Sequence, residues 1–338
     1  MPDRQALSSG QSKDASDTSS TWPAEWGTAF RRQLLAWYRR HARILPWREN
    51  RDAYRVWVSE IMLQQTQVAT VIPYFERFMA TFPDVQTLAT ADEEQVLRHW
   101  EGLGYYRRAR QLHAAAKVIV EQHDGEFPAT LDEALALPGI GRYTAGAILS
   151  IARDARLPIL EANTRRVYVR LLAEREDPTK TTVEQRLWQF AEQLLPRRNC
   201  GDFNQALMEL GASVCTAREP DCERCPVEMH CQARRQNLQH AIPAAKKTAF
   251  ESVRDIAVVV ARGDGALLLR QYQAGQRWAG LWDFVRFSWS DAAGQQATNG
   301  SSEGESTVIA HQVRQLTGCR VQLAPDKFAS IKHGVTRY

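Results

Sequence analysis

Four cysteines fall within seventeen residues: Cys215, Cys222, Cys225 and Cys231 are spaced C-x6-C-x2-C-x5-C. Residues 1–22 are rich in Ser, Asp and Gln and lack the apolar stretch of a secretory signal, so they are read as a disordered N-terminal arm. Without an export signal the chain is expected in a reducing cytoplasm, where disulfides are rare. Four thiols packed this closely then point to a metal centre. Tetrahedral zinc and a [4Fe–4S] cluster both take four cysteines. A zinc ribbon usually pairs two C-x2-C knuckles across a longer gap, and only one such knuckle is present. Cys200 and Cys319 fall outside the pattern and are read as ordinary buried residues.

A loop of that kind needs a core built elsewhere, and 338 residues suffice for two or three domains. From Pro23 to about Leu238 apolar residues recur at helical spacing, as in Phe30, Leu34, Leu35, Trp37 and Tyr38. Pro46, Pro83, Pro128, Pro138 and Pro158 break the pattern into short helices. Residues 239–250 read as a basic linker. Beyond it, Asp255–Val260 and Ala266–Leu269 flank the turn Arg262–Gly265 and predict a β-hairpin. Residues 251–338 are expected to form a smaller α+β domain, short or truncated. No apolar run is long enough to span a membrane. A net charge of +4 permits a polyanionic partner without demanding one.

The segment Leu137-Pro138-Gly139-Ile140-Gly141-Arg142-Tyr143 closes one helical pattern and opens another. Gly139 and Gly141 let backbone amides approach a ligand closely, and the helix that follows turns its positive end toward it, which suits a phosphate. Such a turn alone is often a plain helical hairpin. Over the whole segment, however, it resembles the helix-hairpin-helix motif of DNA glycosylases, and the cysteine spacing resembles the cluster loop of the endonuclease III superfamily. That resemblance implies a [4Fe–4S] cluster held by the four cysteines.

The resemblance narrows at Leu45-Pro46-Trp47-Arg48 and at Val56 to Gln67, which look like the adenine DNA glycosylase family of MutY type, over roughly Phe30 to Gln232. The fold class expected is therefore mainly α, a helix-hairpin-helix glycosylase fold with a cluster loop, followed by a Nudix-like C-terminal domain. By resemblance, Glu60 is the acid that protonates adenine; on pattern alone it would be a solvent-facing helix glutamate. The family's D-G-N segment reads Glu161-Ala162-Asn163 here, so Glu161 stands where the sugar-stabilising aspartate is expected and Asn163 completes the match. Glu161 keeps the charge and moves it by roughly one bond length. Tyr143 occupies the place of the lysine with which bifunctional relatives form an imine; tyrosine cannot, which implies base release without strand cleavage.

The same resemblance makes Tyr105, after Gly102-Leu103-Gly104, a wedge beside the damaged guanine. It makes Gln65 and Thr66 probes of the widowed base, and Arg48 and Gln205 part of the adenine pocket. Arg107, Arg108, Arg110 and Lys117 suit either phosphate contact or a solvated face. In the C-terminal domain, Gln312-Val313-Arg314-Gln315 stands where a Nudix hydrolase needs its metal-binding glutamates, so hydrolysis is not expected. His333 matches a histidine of the family's 8-oxoguanine loop, with Lys332 replacing its serine. The implied substrate is double-stranded DNA bearing adenine opposite 8-oxoguanine or guanine. The implied protein is a monomer, cytoplasmic and nucleoid-associated in a bacterium, with no membrane partner. A related mismatch glycosylase of changed specificity and a non-catalytic lesion-binding protein are the competing readings.

Overall fold

The computed structural model describes residues 24–244, 253–273, 275–276, 280–289, 302–324 and 329–330. The chain divides between 246 and 247 into two units. In the first, helices α1 (Ala24–His41), α2 (Ala53–Leu63), α3 (Val68–Thr81), α4 (Val85–Thr90), α5 (Glu93–Trp100) and α6 (Arg107–Gln122) follow in order. Then come α7 (Leu131–Ala136), α8 (Arg142–Arg153), α9 (Ala162–Leu172), α10 (Thr181–Leu194), α11 (Cys200–Ser213) and α12 (Gln232–Arg235). Short 3-10 turns at Pro46–Arg48 and Glu228–His230 complete the set.

The boundaries follow local chemistry. The Asp52 and Asp84 carboxylates accept from amides in the first turns of α2 and α4, and Thr130 with Glu133 forms a reciprocal capping box on α7. Alternation of apolar and polar positions then buries two separate cores. One is built from α2 to α8 around Trp57, Phe75, Phe78 and Trp100; the other joins α1 to α9–α12 around Phe30, Tyr168 and Phe203. Asp154, at the end of α8, accepts from the amides of Asn199 (2.9 Å) and Gly201 (3.1 Å) and so pins the start of α11. At Gly211 an added Cβ would lie 2.7 Å from Asn163 Cβ, which is why α11 can press so closely on α9. The seam between the two cores is thereby held tight, and the candidate site lies along it.

The linker expected over 239–250 begins later than the charge pattern suggests. Gln239 and Ile242 are buried, and the Ile242 carbonyl accepts from Arg170 Nε at 2.8 Å, so these residues belong to the helical unit.

In the second unit, β1 (Asp255–Val258) pairs antiparallel with β6 (Val285–Ser288), with Ile256 opposite Phe287 and Val258 opposite Val285. Strand β2 (Val260–Ala261) pairs with β3 (Leu267–Leu268), and β4 (Arg270–Gln271) with β5 (Trp282–Asp283). The predicted hairpin is therefore only half formed as expected. Its turn-proximal part is the β2–β3 pair, whereas β1 crosses to a later strand. Pairing β1 with β6 sets Val258, Val285 and Phe287 around Val313 of helix α13 (Ser302–Thr317), burial that a local hairpin would not supply. Cys200 is fully buried as expected, but Cys319 is exposed, since it follows α13 where the chain leaves that small core. Among the described residues no helix is long and apolar enough to cross a membrane.

Candidate active site

Helix α2 is buried along almost its whole length from Tyr54 to Met62, and Glu60 lies inside that run at 6% exposure rather than on a solvent face. Tyr143, in the first turn of α8, donates its O–H to Glu60 Oε2 at 2.6 Å and touches Met208 Sδ of α11 at 3.5 Å. Burial disfavours the carboxylate and pushes Glu60 up to about 7; the Tyr143 hydrogen bond and nearby Arg48 oppose the rise, while the charge of Glu161 adds to it. The Tyr143 phenol is driven well above its ordinary range by the same burial and by both carboxylates. The pair is thus a proton-holding acid with a phenol that does not ionise near neutrality.

Glu161 starts α9 as its N-cap. Oε2 accepts from the Asn163 amide (2.7 Å) and Oε1 from the Thr164 amide (2.8 Å), while Thr164 Oγ1 accepts in return from the Glu161 amide (2.9 Å). Burial raises its carboxyl, and the two amides followed by Arg166 and Arg165 pull it back. Both extra-long oxygens are therefore turned to backbone. Asn163 Oδ1 accepts from Arg166 Nη2 at 2.8 Å, and that guanidinium also reaches the Gly211 carbonyl (2.7 Å) and, through Nε, the Cys215 carbonyl (2.7 Å). Asn163 thus anchors the start of α9 to α11 and to the cysteine loop.

Arg48 is near Glu60 but not alone. Its Nη2 pairs with Glu209 Oε2 at 2.9 Å, and Arg43 grips the other oxygen of the same carboxylate. Glu209, 1% exposed on α11, is a site residue that the sequence reading missed. Its only local sign is a charge set in an apolar helical run, which on pattern alone reads as a solvent-facing helix glutamate, just as Glu60 does. Gln205, half-buried, lies one turn earlier, so α11 turns Gln205, Met208 and Glu209 to one face.

The hairpin between α7 and α8 leaves Gly139 and Gly141 exposed. Gly139 takes φ +77° and packs so closely on Gln111 that a Cβ would lie 2.8 Å from that side chain's Cβ. At Gly141, the N-cap of α8, nothing lies within 4 Å of an added Cβ and φ is −100°. Protein packing does not demand glycine there, so the open space is available to a ligand approaching the amides. Gln65 and Tyr105 are both exposed, with φ of +59° and +50°, and Thr66 lies beside Gln65. Arg108 departs from both expectations for the basic run: it is buried, its guanidinium committed to backbone carbonyls. Arg110 pairs with Glu93 at 3.1 Å, and Arg107 and Lys117 are exposed. His333 and Lys332 lie outside the described residues.

Cys215, Cys222, Cys225 and Cys231 line a single cavity, together with Arg170 and Arg234. Arg170, 2% exposed, places Nη1 3.2 Å from Cys215 Sγ and donates to the carbonyls of Thr216 (2.6 Å) and Ala217 (3.1 Å). Burial, then Cys215, pushes the Cys222 thiol up; Cys225 is pushed to about 12 by burial, and Cys231 rises for the same first reason. Thiols held protonated by burial release their protons when they bind a metal. Among the described residues no group of three or more His, Cys, Asp or Glu side chains is placed to hold a metal ion. Arg170 also escaped the sequence reading, because a lone arginine in an amphipathic helix carries no local sign of burial.

A family model described as the HhH-GPD superfamily of base excision DNA repair proteins matches residues 58–193. The adenine DNA glycosylase of Rattus norvegicus is 50% identical over 226 residues, 64% of this chain and 44% of that protein, so the chain spans under half the length of this relative. The adenine DNA glycosylase of Buchnera aphidicola subsp. Schizaphis graminum is 38% identical over 259 residues, covering 76% of this chain and 75% of that protein. A solved structure described as a thermostable thymine-DNA glycosylase superposes with a TM-score of 0.58 at 27% identity, over 63% of this chain and 98% of that one. Together with the helical architecture and the Glu60–Tyr143 pair, these matches show that the chain belongs to the adenine DNA glycosylase family of helix-hairpin-helix proteins.

Proposed function

We propose that this chain is a monofunctional DNA glycosylase that hydrolyses the N-glycosidic bond of adenine mispaired with 8-oxoguanine or guanine and leaves an abasic site. The observation that carries the reading is the buried Glu60, pushed up to about 7 and bonded to Tyr143, with Glu161 close enough to bias it. A carboxyl titrating there is still about half protonated at neutrality and serves as a general acid to the departing base. Glu161, supplied with two amide donors and flanked by two arginines, is the carboxylate of the pair and faces the positive charge that develops on the sugar. Water attacks the anomeric carbon and the glycosidic electron pair leaves with the base, which takes the proton of Glu60; the Glu60 carboxylate so formed then takes up the proton shed by the attacking water. Tyr143 offers no amine for an imine, which favours hydrolysis without strand cleavage.

DNA would be gripped at the Gly139–Gly141 amides, a sequence-independent and salt-sensitive contact. The four cysteines, which line one cavity beside the buried Arg170, suit a [4Fe–4S] cluster better than zinc on their spacing, with one C-x2-C knuckle rather than the pair of a zinc ribbon. Such a cluster would supply a rigid tie for the loop rather than chemistry on the base. The second unit, with Val313 buried where a Nudix hydrolase would need a metal ligand, fits a non-hydrolytic Nudix-like domain that reads the lesion.

Single-turnover base release on duplexes with adenine opposite 8-oxoguanine, adenine opposite guanine, and thymine opposite guanine tests the proposal. Adenine release from the first two without strand breakage is expected. Release of thymine alone, or tight lesion binding with no release, would overturn it.

A further inference from the structure

Arg108 is 8% exposed and joins two loops with one guanidinium. Nη1 donates to the carbonyls of Ile61 (2.9 Å), Met62 (3.0 Å) and Gln64 at the end of α2. Nη2 donates to Thr66 Oγ1, Leu103 O and Gly104 O, each at 3.3 Å. Its plane lies over the rings of Trp100 (5.5 Å) and Tyr105 (5.4 Å), and Trp100 Nε1–H donates to the same Gly104 carbonyl at 3.1 Å. The last carbonyls of a helix lack intrahelical partners and favour a cation. A lysine could meet one or two of these acceptors but could not fork across both loops.

The loops so joined share a second feature. Gln65 and Tyr105 each hold φ in the left-handed region, at +59° and +50°, although both carry side chains. Backbone of that kind persists only where the surroundings over-determine it, and it clusters at functional positions. Each strained residue directly follows a carbonyl that Arg108 holds, Gln64 before Gln65 and Gly104 before Tyr105.

We infer that Arg108 is a positioning residue: it clamps the Gln65 turn to the Tyr105 turn, so that both exposed side chains enter the duplex together and adenine is extruded toward Glu60. The inference rests on the proposed glycosylase reading. The clamp also ties the wedge to α2, the helix that carries Glu60, which fixes the distance between the opening of the duplex and the acid.

The test is Arg108→Lys in the full-length protein, on the duplex with adenine opposite 8-oxoguanine. The single-turnover rate constant is expected to fall about ten- to a hundredfold, the scale of an ångström-sized misplacement. The burst amplitude and the pH midpoint of release should stay at wild-type values. Non-additivity with Tyr105→Ala in lesion affinity is also expected, because the clamp acts through that ring. A merely structural role would lower the amplitude and leave the rate constant, and that result, or strict additivity, would overturn the inference. Should Arg108→Lys fail to fold, Trp100→Phe removes the Nε1–H bond to Gly104 and trims the ring beneath the Arg108 guanidinium, and should show the same signature more mildly; a wild-type rate would overturn the inference. Wild-type protein that releases no adenine would sink the glycosylase reading itself. An active wild type with an unchanged Arg108→Lys rate sinks only the clamp.

Discussion

Replacing Glu60 by glutamine should make the protein more stable at alkaline pH while abolishing base release. Glu60 titrates at about 7 in the folded chain against 4.5 for a free carboxyl, chiefly because it is buried. Between those values the folded chain holds a proton that the unfolded chain has released, so stability falls as pH rises through that window. At 1.36 kcal/mol for each pH unit, Glu60 costs the fold about 3 kcal/mol at pH 8, and under about 1 kcal/mol at pH 5. Glutamine is neutral at both pH values, and its amide oxygen can still accept from Tyr143. For a unit the size of the helical one, about 3 kcal/mol corresponds to roughly 6–12 °C in the unfolding midpoint. Thermal unfolding of wild type and Glu60→Gln, followed by helical circular dichroism at pH 5 and pH 8, measures it. An advantage for the variant that is large at pH 8 and small at pH 5 is expected. A variant no more stable than wild type at pH 8, or one equally favoured at both pH values, would refute the assignment of Glu60 as a destabilised, proton-holding acid.

Tyr143→Phe removes the hydrogen bond that favours the charged form of Glu60, so the alkaline limb of base release should move from about 7 to about 8, read from a single-turnover pH profile. Glu161→Gln keeps an acceptor for the α9 amides but removes the charge; release should slow by about a hundredfold with the unfolding midpoint little changed, whereas Glu161→Ala should also cost about 1 kcal/mol of cap energy in denaturant titration. Cys225→Ser should abolish iron content and the visible absorption band of the purified protein and lower its unfolding midpoint, while Cys319→Ser, at an exposed thiol outside the cluster cavity, should change neither.

How much of this was legible in the sequence depended on whether the signal was local. The cysteine loop, the α7–α8 hairpin and the order of helices were written in spacings of a few residues, and the family model matches residues 58–193, which include the hairpin but not the cysteine loop. Glu60 and Tyr143 could be named, but not joined. That they meet at 2.6 Å depends on how α2 packs against α8, a contact between residues eighty-three apart in the chain. Arg108 and Arg170 were opaque because arginine usually marks a wet surface, and only the carbonyls brought together by tertiary structure make burial tolerable. The strand pairing of the second unit failed for the converse reason: the local turn at Arg262–Gly265 was correctly visible, but Val258 gained more from Val285 and Val313 than a hairpin could provide.

On the proposed reading, the two carboxylates at the seam take opposite roles in one buried environment. Both are raised by the loss of water, so burial alone would leave two acids and no anion. What separates them is the supply of donors. Glu60 sits mid-helix, where every backbone amide of the preceding turn is already engaged, and its donor is the Tyr143 phenol. Glu161 sits at a helix start, where free amides are available by construction, and it accepts two of them within 2.8 Å, with Arg165 and Arg166 adding charge. The supply of donors therefore favours the proton on Glu60, and the charge of Glu161 pushes Glu60 further up. Exchanging aspartate for glutamate at the helix start keeps this division intact, because it is the N-cap position, not the length of the side chain, that supplies the amides. The longer chain alters only where the negative charge stands relative to the sugar, so the departure bears on rate rather than on which residue is acid and which is anion.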